Sequence, residues 1–189
     1  MPGKHFEEFA VGETIAHDTR RTITESDNQR FCDLTMNRQS LHLDADYAAD
    51  TQFGERLVNG LYTMSLAVGL SVPDTTDGTA VANLSYDDVE HPAPVFHGDT
   101  VRAQTTVTDK RETSDGGRGV VTMRVEVFTV GGGGRSGDGG SDERAPENDE
   151  SDDESGNAED GGDPGNGETL VCSFERTALV TKRAATDGD

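Results

Sequence analysis

The chain has 189 residues, enough for one ordinary domain, and its apolar share of 31% is low for a globular protein. Its formal net charge of -21, with only three lysines, leaves no basic face for phosphates and so excludes a nucleic-acid partner. No stretch approaches the roughly 18 apolar residues of a membrane span, and the first residues lack the apolar segment of a secretory signal. We therefore expect a cytoplasmic protein without membrane contact.

The predicted elements begin with a short strand at 20–24. A helix follows it, with Thr24 as its cap and Asp27, three residues later, accepting the reciprocal bond. A short helix is predicted at 44–50. Residues 57–70 are apolar on nearly every side, which predicts a helix that is buried all round.

Three strands are predicted next, at 80–90, 101–108 and 119–129, and another at 169–182. In the second of these, apolar or small residues alternate with polar ones, so one face is expected to be buried. One apolar helix among about five strands predicts an α+β hot-dog fold, in which an antiparallel sheet wraps around one long buried helix. The pattern by itself also permits another α+β arrangement.

Residues 131–168 form an acidic, glycine-rich insert between the last two predicted strands. The insert has 13 acidic and 2 basic residues and no large apolar side chain, so we expect it to be disordered. Residues 1–130 and 169–189 then form a single domain. That domain is acidic too, with 24 acidic and 14 basic residues, which favours adaptation to multimolar salt over one acidic segment on an ordinary protein.

Three runs resemble the MaoC-like hot-dog dehydratase and hydratase family. They are FEEFAVGETI near the start, residues 34–66, and HPAPVFHGDTV at 91–101. Within the family, the greatest similarity is to the mesaconyl-CoA hydratases (β-methylmalyl-CoA dehydratases) of halophilic archaea. The resemblance implies a hydro-lyase that hydrates an acyl-CoA thioester, as a homodimer or higher homo-oligomer with the active site at the subunit interface. It implies no metal and no cofactor other than the coenzyme A of the substrate.

The family's catalytic pair is an Asp and a His separated by four residues. His42 falls on the His position, and Asn37 falls on the Asp position. An amide does not titrate, although it can hold a water molecule. Either His42 alone shuttles the proton while Asn37 positions the water, or the chain has lost catalysis; we favour the active enzyme.

The resemblance also assigns substrate contacts. Gly60 falls on the glycine whose amide faces the thioester oxygen at the start of the central helix, with a role in close packing alone as the alternative. Asn59 is either a further donor or a helix cap. Arg56, Arg102 and Arg111 are candidates for binding the phosphates of coenzyme A or a substrate carboxylate, with solvated surface arginine as the alternative for each. His91 and His97 receive no role.

The most specific hypothesis is reversible hydration of mesaconyl-CoA to β-methylmalyl-CoA. Two alternatives stay open: a short-chain (R)-specific enoyl-CoA hydratase, and a catalytically inactive hot-dog subunit that binds acyl-CoA. The amide at position 37 keeps the inactive subunit under consideration.

Overall fold

The computed structural model describes residues 3–131 and 167–183. After a short 3₁₀ helix at Phe6–Glu8, it places four α helices and six β strands within these ranges. The helices are α1 (Glu25–Thr35), α2 (Ser40–Leu43), α3 (Ala45–Ala49) and α4 (Gly60–Thr75). The strands are β1 (Thr14–Ala16), β2 (Arg21–Thr22), β3 (Ala80–Glu90), β4 (Thr100–Glu112), β5 (Arg118–Val130) and β6 (Thr169–Thr181).

Helix α1 begins where its cap predicts. The Asp27 amide donates to the Thr24 hydroxyl at 3.2 Å, and the Thr24 amide donates to the Asp27 carboxylate at 3.0 Å. The helix ends where Met36 adopts a left-handed conformation, with φ of 57°. The short helix predicted at 44–50 is confirmed as α3, which Asp44 caps.

The long apolar helix is confirmed, but its bounds differ from the predicted 57–70. Helix α4 begins at Gly60, because the side chain of Asn59 caps it by accepting a hydrogen bond from the Leu61 amide at 3.0 Å. It continues past the predicted end and includes Pro73. The carbonyl that Pro73 leaves without a donor is that of Gly69, an exposed residue that water can reach.

Burial of α4 is one-sided within a single chain, although its composition predicts burial all round. Leu61 is 57% exposed. The sheet covers only the opposite side of the helix, where the buried positions are Thr63, Ala67, Leu70, Ser71 and Thr75.

The six strands form one antiparallel sheet in the order β1-β4-β5-β6-β3, and β2 pairs with the beginning of β4. The strands predicted at 80–90, 101–108, 119–129 and 169–182 are confirmed, with differences of a few residues at their ends. The strand predicted at 20–24 is confirmed over two residues, as β2. Strand β3 forms one edge of the sheet, so its outer side has no neighbouring strand among the residues described.

Helix α4 packs on one face of the sheet, against β4, β5 and β6. The predicted alternation in β4 accounts for this contact, since Val101, Ala103, Thr105 and Val107 are each at most 1% exposed. An antiparallel sheet covering one central helix is the predicted α+β arrangement. None of the helices described is long and apolar enough to cross a membrane.

The acidic insert lies almost entirely outside the residues described, so its disorder and the single-domain boundaries stay predictions. The strands on either side of it are adjacent and antiparallel, with Thr129 opposite Thr169. The insert therefore connects two neighbouring strands at one end of the sheet.

Candidate active site

His42 lies in α2, and a hydrogen bond from its ring orients the side chain. The Nδ1 atom is 3.0 Å from the Leu57 carbonyl oxygen, which can only accept, so Nδ1 carries the hydrogen. The Leu57 amide donates to the Leu41 carbonyl at 3.1 Å, which ties the two segments together. In the neutral ring, Nε2 therefore holds a lone pair and can accept a proton.

His42 borders a cavity of about 340 Å³, a size typical of small-molecule sites. Its walls come from α2, the segment before α4, the first turn of α4, the connection between β3 and β4, and β6. Most of the lining is apolar: Phe53, Leu57, Val58, Pro92, Pro94 and Val95. Among the lining residues described, the two titratable side chains are His42 and His91.

The first turn of α4 presents a backbone amide at this cavity. The Leu61 amide is held by the Asn59 side chain, and the Tyr62 and Thr63 amides donate to the Asn59 carbonyl. The Gly60 amide has no acceptor among the residues described, and Gly60 borders the cavity. It can thus donate to a ligand, in the position where the positive end of the helix dipole also favours negative charge.

Asn59 has the helix-cap role that the sequence left open. It is 3% exposed and is not among the residues that border the cavity. Its own amide donates to the Oδ1 atom of Asn28 at 2.9 Å.

Asn28 is a site residue that the sequence analysis missed. It is 1% exposed, and besides accepting from Asn59 it donates from Nδ2 to the His42 carbonyl at 3.3 Å. The side chain of Asn28 therefore links the backbone of His42, the candidate base, to the backbone of Asn59. Its partners lie 14 and 31 residues along the chain, so no local pattern shows the link.

His91 is a second residue to which the sequence analysis assigned no role. It borders the cavity, and its ring lies against Gly60 so closely that a Cβ atom at Gly60 would come within 2.9 Å of it. The glycine at the start of α4 therefore leaves room for the imidazole of His91. The run HPAPVFHGDTV predicted a turn at this histidine. Its contact with the start of α4 is visible only in the folded structure.

Asn37 lies apart from the cavity lining in this chain. It follows the left-handed Met36, and its Oδ1 atom accepts a hydrogen bond from the Gln39 amide at 3.1 Å. The side chain thus shapes the loop that leads into α2 and His42. Its predicted role in positioning water stays a prediction.

The three candidate arginines lie in different places. Arg56 pairs with Glu25 at 2.7 Å, and it acts on half-buried His97, whose pKa is lowered first by burial and then by the Arg56 charge. Arg56 directly precedes Leu57, which borders the cavity. Of the three candidates, Arg56 is the one that adjoins a residue of the cavity lining along the chain.

Arg102 and Arg111 are placed less favourably. Arg102 holds Glu168 through two hydrogen bonds, with Nε to Oε1 at 2.8 Å, and this pairing keeps the pKa of Glu168 below its ordinary value. Arg111 is exposed and lies level with Leu179, eight residues along β6 from cavity residue Val171. At about 3.3 Å per residue this separation is roughly 26 Å within one chain.

The model of a known family, the MaoC like domain, matches residues 7–129. The chain belongs to the MaoC-like domain family. A similar structure from Mycobacterium tuberculosis, described as having a double hot-dog fold, has a TM-score of 0.68 at 20% identity. The match covers 99% of this chain and 46% of that one. The MaoC-like chain therefore has the predicted hot-dog fold.

Two MaoC-like relatives carry a specific name. A mesaconyl-CoA hydratase of Cereibacter sphaeroides is 37% identical over 123 residues, which are 65% of this chain and 36% of that protein. A mesaconyl-CoA hydratase of Haloarcula hispanica is 29% identical over 189 residues, which are 98% of this chain and 43% of that protein. This MaoC-like chain thus spans less than half the length of either relative.

Proposed function

We propose that the protein is a hydro-lyase that adds water reversibly to the double bond of an enoyl-CoA thioester. One observation carries the proposal: an oriented imidazole, His42, and an unpaired helix-start amide, that of Gly60, border the same apolar cavity. The first supplies a proton acceptor, and the second supplies a donor for an oxygen that gains charge. The names of the two hydratase relatives support the same reaction class.

In the proposed mechanism, Nε2 of His42 takes a proton from water. The water oxygen bonds to the β-carbon, and the electrons of the double bond move through the α-carbon to the thioester oxygen, giving an enolate. The Gly60 amide and the positive end of α4 stabilise this charge. The imidazolium then returns the proton to the α-carbon, so every proton is accounted for without a metal or a redox cofactor.

The preferred substrate in the proposal is mesaconyl-CoA, hydrated to β-methylmalyl-CoA. The names of both relatives favour it, and Arg56 is suited to pair with a substrate carboxylate because a guanidinium binds a carboxylate through two hydrogen bonds. The side chain of Glu25, the present partner of Arg56, is 63% exposed and free to move into water. Arg56→Gln should therefore reduce kcat/KM for mesaconyl-CoA more than for crotonyl-CoA.

A second copy of the chain is the proposed partner, and β3 is the proposed contact. This edge strand has four exposed apolar side chains spread along its length: Val81, Leu84, Tyr86 and Val89. An uncovered apolar edge favours pairing with another strand, and two copies of β3 can pair antiparallel about a two-fold axis. Light scattering should show a dimer or a multiple of it, and Leu84→Lys should shift the mass towards the monomer.

The decisive experiment is hydration of an enoyl-CoA panel in multimolar KCl, followed by the loss of absorbance of the conjugated thioester. His42→Ala should lower kcat by about 10²- to 10⁴-fold, as expected for loss of a general acid–base group. His5→Ala is the matched control, because His5 does not border the cavity. Chelator should leave the rate unchanged.

Other outcomes discriminate among the alternatives. Crotonyl-CoA hydrated more efficiently than mesaconyl-CoA would favour the short-chain (R)-specific hydratase. Binding of CoA esters without hydration would favour an inactive subunit. Equal activity of His42→Ala and the parent would refute the mechanism. We also propose a cytoplasmic location, which subcellular fractionation of the source cells would test.

A further inference from the structure

Thr63 is a buried polar residue of α4 that the mechanism above does not use. It is 1% exposed and borders the same cavity as His42 and Gly60. Its Oγ1 atom has no hydrogen-bond partner among the residues described. Buried hydroxyl groups in folded proteins nearly always have a partner, and an exception calls for an explanation.

Other hydroxyl groups in the same helix bond to the backbone. The Ser71 hydroxyl donates to the Val68 carbonyl at 2.8 Å, and the Thr75 hydroxyl donates to the Ser71 carbonyl at 2.5 Å. Bonding to a carbonyl one turn earlier is the ordinary arrangement for Ser and Thr inside a helix. Thr63 departs from it.

The departure has a local cause at the start of the helix. The carbonyl four residues before Thr63 belongs to Asn59, and it already accepts from the Tyr62 amide at 3.0 Å and the Thr63 amide at 3.2 Å. A carbonyl oxygen has two lone pairs, and both are in use. The Thr63 hydroxyl makes no hydrogen bond within its own helix, and Thr63 borders the cavity.

The geometry of a helix directs this hydroxyl towards Gly60. Side chains lean towards the N-terminus of a helix, and residues three apart lie on the same face about 5–6 Å from each other. The Thr63 hydroxyl and the Gly60 amide therefore converge on the same part of the cavity.

We propose that the Thr63 hydroxyl donates a hydrogen bond to the thioester oxygen of the bound acyl-CoA, beside the Gly60 amide. This inference rests on the proposed function and names a second donor for the same oxygen. The bond strengthens as the oxygen becomes an enolate, so its loss lowers kcat more than it changes KM.

The test compares Thr63→Val, which keeps the shape and removes the hydroxyl, with Thr63→Ser, which keeps the hydroxyl. Thr63→Val should lower kcat about 100-fold, the usual effect of losing one such donor. It should also melt at the same temperature as the ligand-free parent or a few degrees higher, because a buried polar group without a partner is removed. Thr63→Ser should stay within a few-fold of the parent in kcat.

Thr75→Val is the matched control, since its hydroxyl has a backbone partner and it lies outside the cavity lining. It should melt lower and keep its kcat. A Thr63→Val variant with parental kcat, or one that melts as low as Thr75→Val, would overturn the inference. Equal losses in Thr63→Val and Thr63→Ser would overturn it as well, since packing would then be the cause.

A parent that hydrates nothing would count against the proposed function, and the comparison would move to the Kd of butyryl-CoA. Several-fold weaker binding by Thr63→Val, with parental binding by Thr63→Ser, would then support the hydroxyl contact. Equal binding by all three would overturn the contact. A parent that neither hydrates nor binds CoA esters would overturn both proposals.

Discussion

Removing the side chain of Asn28 should both destabilise the protein and slow the reaction. Asn28→Ala leaves the buried Asn59 amide and the His42 carbonyl without their partners, at 2.9 and 3.3 Å respectively. Each buried group left unsatisfied costs about 1–3 kcal/mol, and the longer bond contributes at the low end, so we expect a loss of about 3 kcal/mol. For a domain of this size, that corresponds to a fall in Tm of roughly 6–12 °C.

Catalysis should suffer because Asn28 fixes the spacing between His42 and the start of α4. A small displacement of a reacting group is sufficient to lower a rate by about 100-fold, so we expect kcat to fall about 10- to 100-fold at a temperature where the variant is folded. Tm is measured by circular dichroism in multimolar KCl, and kcat by loss of thioester absorbance. Gln29→Ala is the matched control, since Gln29 makes only an exposed bond to Asp33 in the same helix. An Asn28→Ala variant that melts within a degree or two of the parent and keeps its kcat would refute the reasoning.

Three further predictions address salt, the second imidazole and the thiols. Because the net charge is -21, repulsion between carboxylates should make the protein unfold, or its subunits dissociate, below about 1 M KCl. A Tm that does not change from low to multimolar salt would contradict this. His91→Ala should lower kcat about 10- to 100-fold, a smaller loss than that expected for His42→Ala. An unchanged kcat would show that His91 only packs against Gly60. Burial raises the pKa of the Cys172 thiol to about 11, so iodoacetamide at pH 9 should label it only after unfolding. Because the unfolded thiol ionises first, this group lowers stability as the pH rises from about 8.5 towards 11, and rapid labelling of the folded protein would contradict its burial.

The elements that were predictable from sequence are those whose causes are local. The reciprocal cap of Thr24 and Asp27 lies within four residues, and it determines the start of α1. The alternation in β4 has a period of two, and the buried residues follow it. The end of helix α4 was harder to predict, because Gly69 and Pro73 both disfavour a helix. Gly69 is exposed, so water can reach the carbonyl that Pro73 leaves without a donor.

Only the residues of the candidate site that lie within the family's sequence motif were predictable. His42 and Gly60 follow from the resemblance and lie at one cavity. Asn28 and Thr63 were not predictable, because their importance comes from burial and from which partners are already occupied. The ion pair of Arg102 was not predictable either, because its partner Glu168 is 66 residues away along the chain.

Compared with an Asp at position 37, Asn37 changes the charge of the loop but keeps its local hydrogen bond. Its Oδ1 atom accepts from the Gln39 amide at 3.1 Å, and an Asp carboxylate accepts the same bond. The turn that delivers His42 to the Leu57 carbonyl therefore does not depend on whether residue 37 is Asn or Asp. What the amide removes is a titratable group, and in the described part of the chain that group would stand outside the cavity lining. The proton chemistry of the proposed reaction then rests on the imidazoles that border the cavity, with His42 held in the tautomer that leaves Nε2 free to accept.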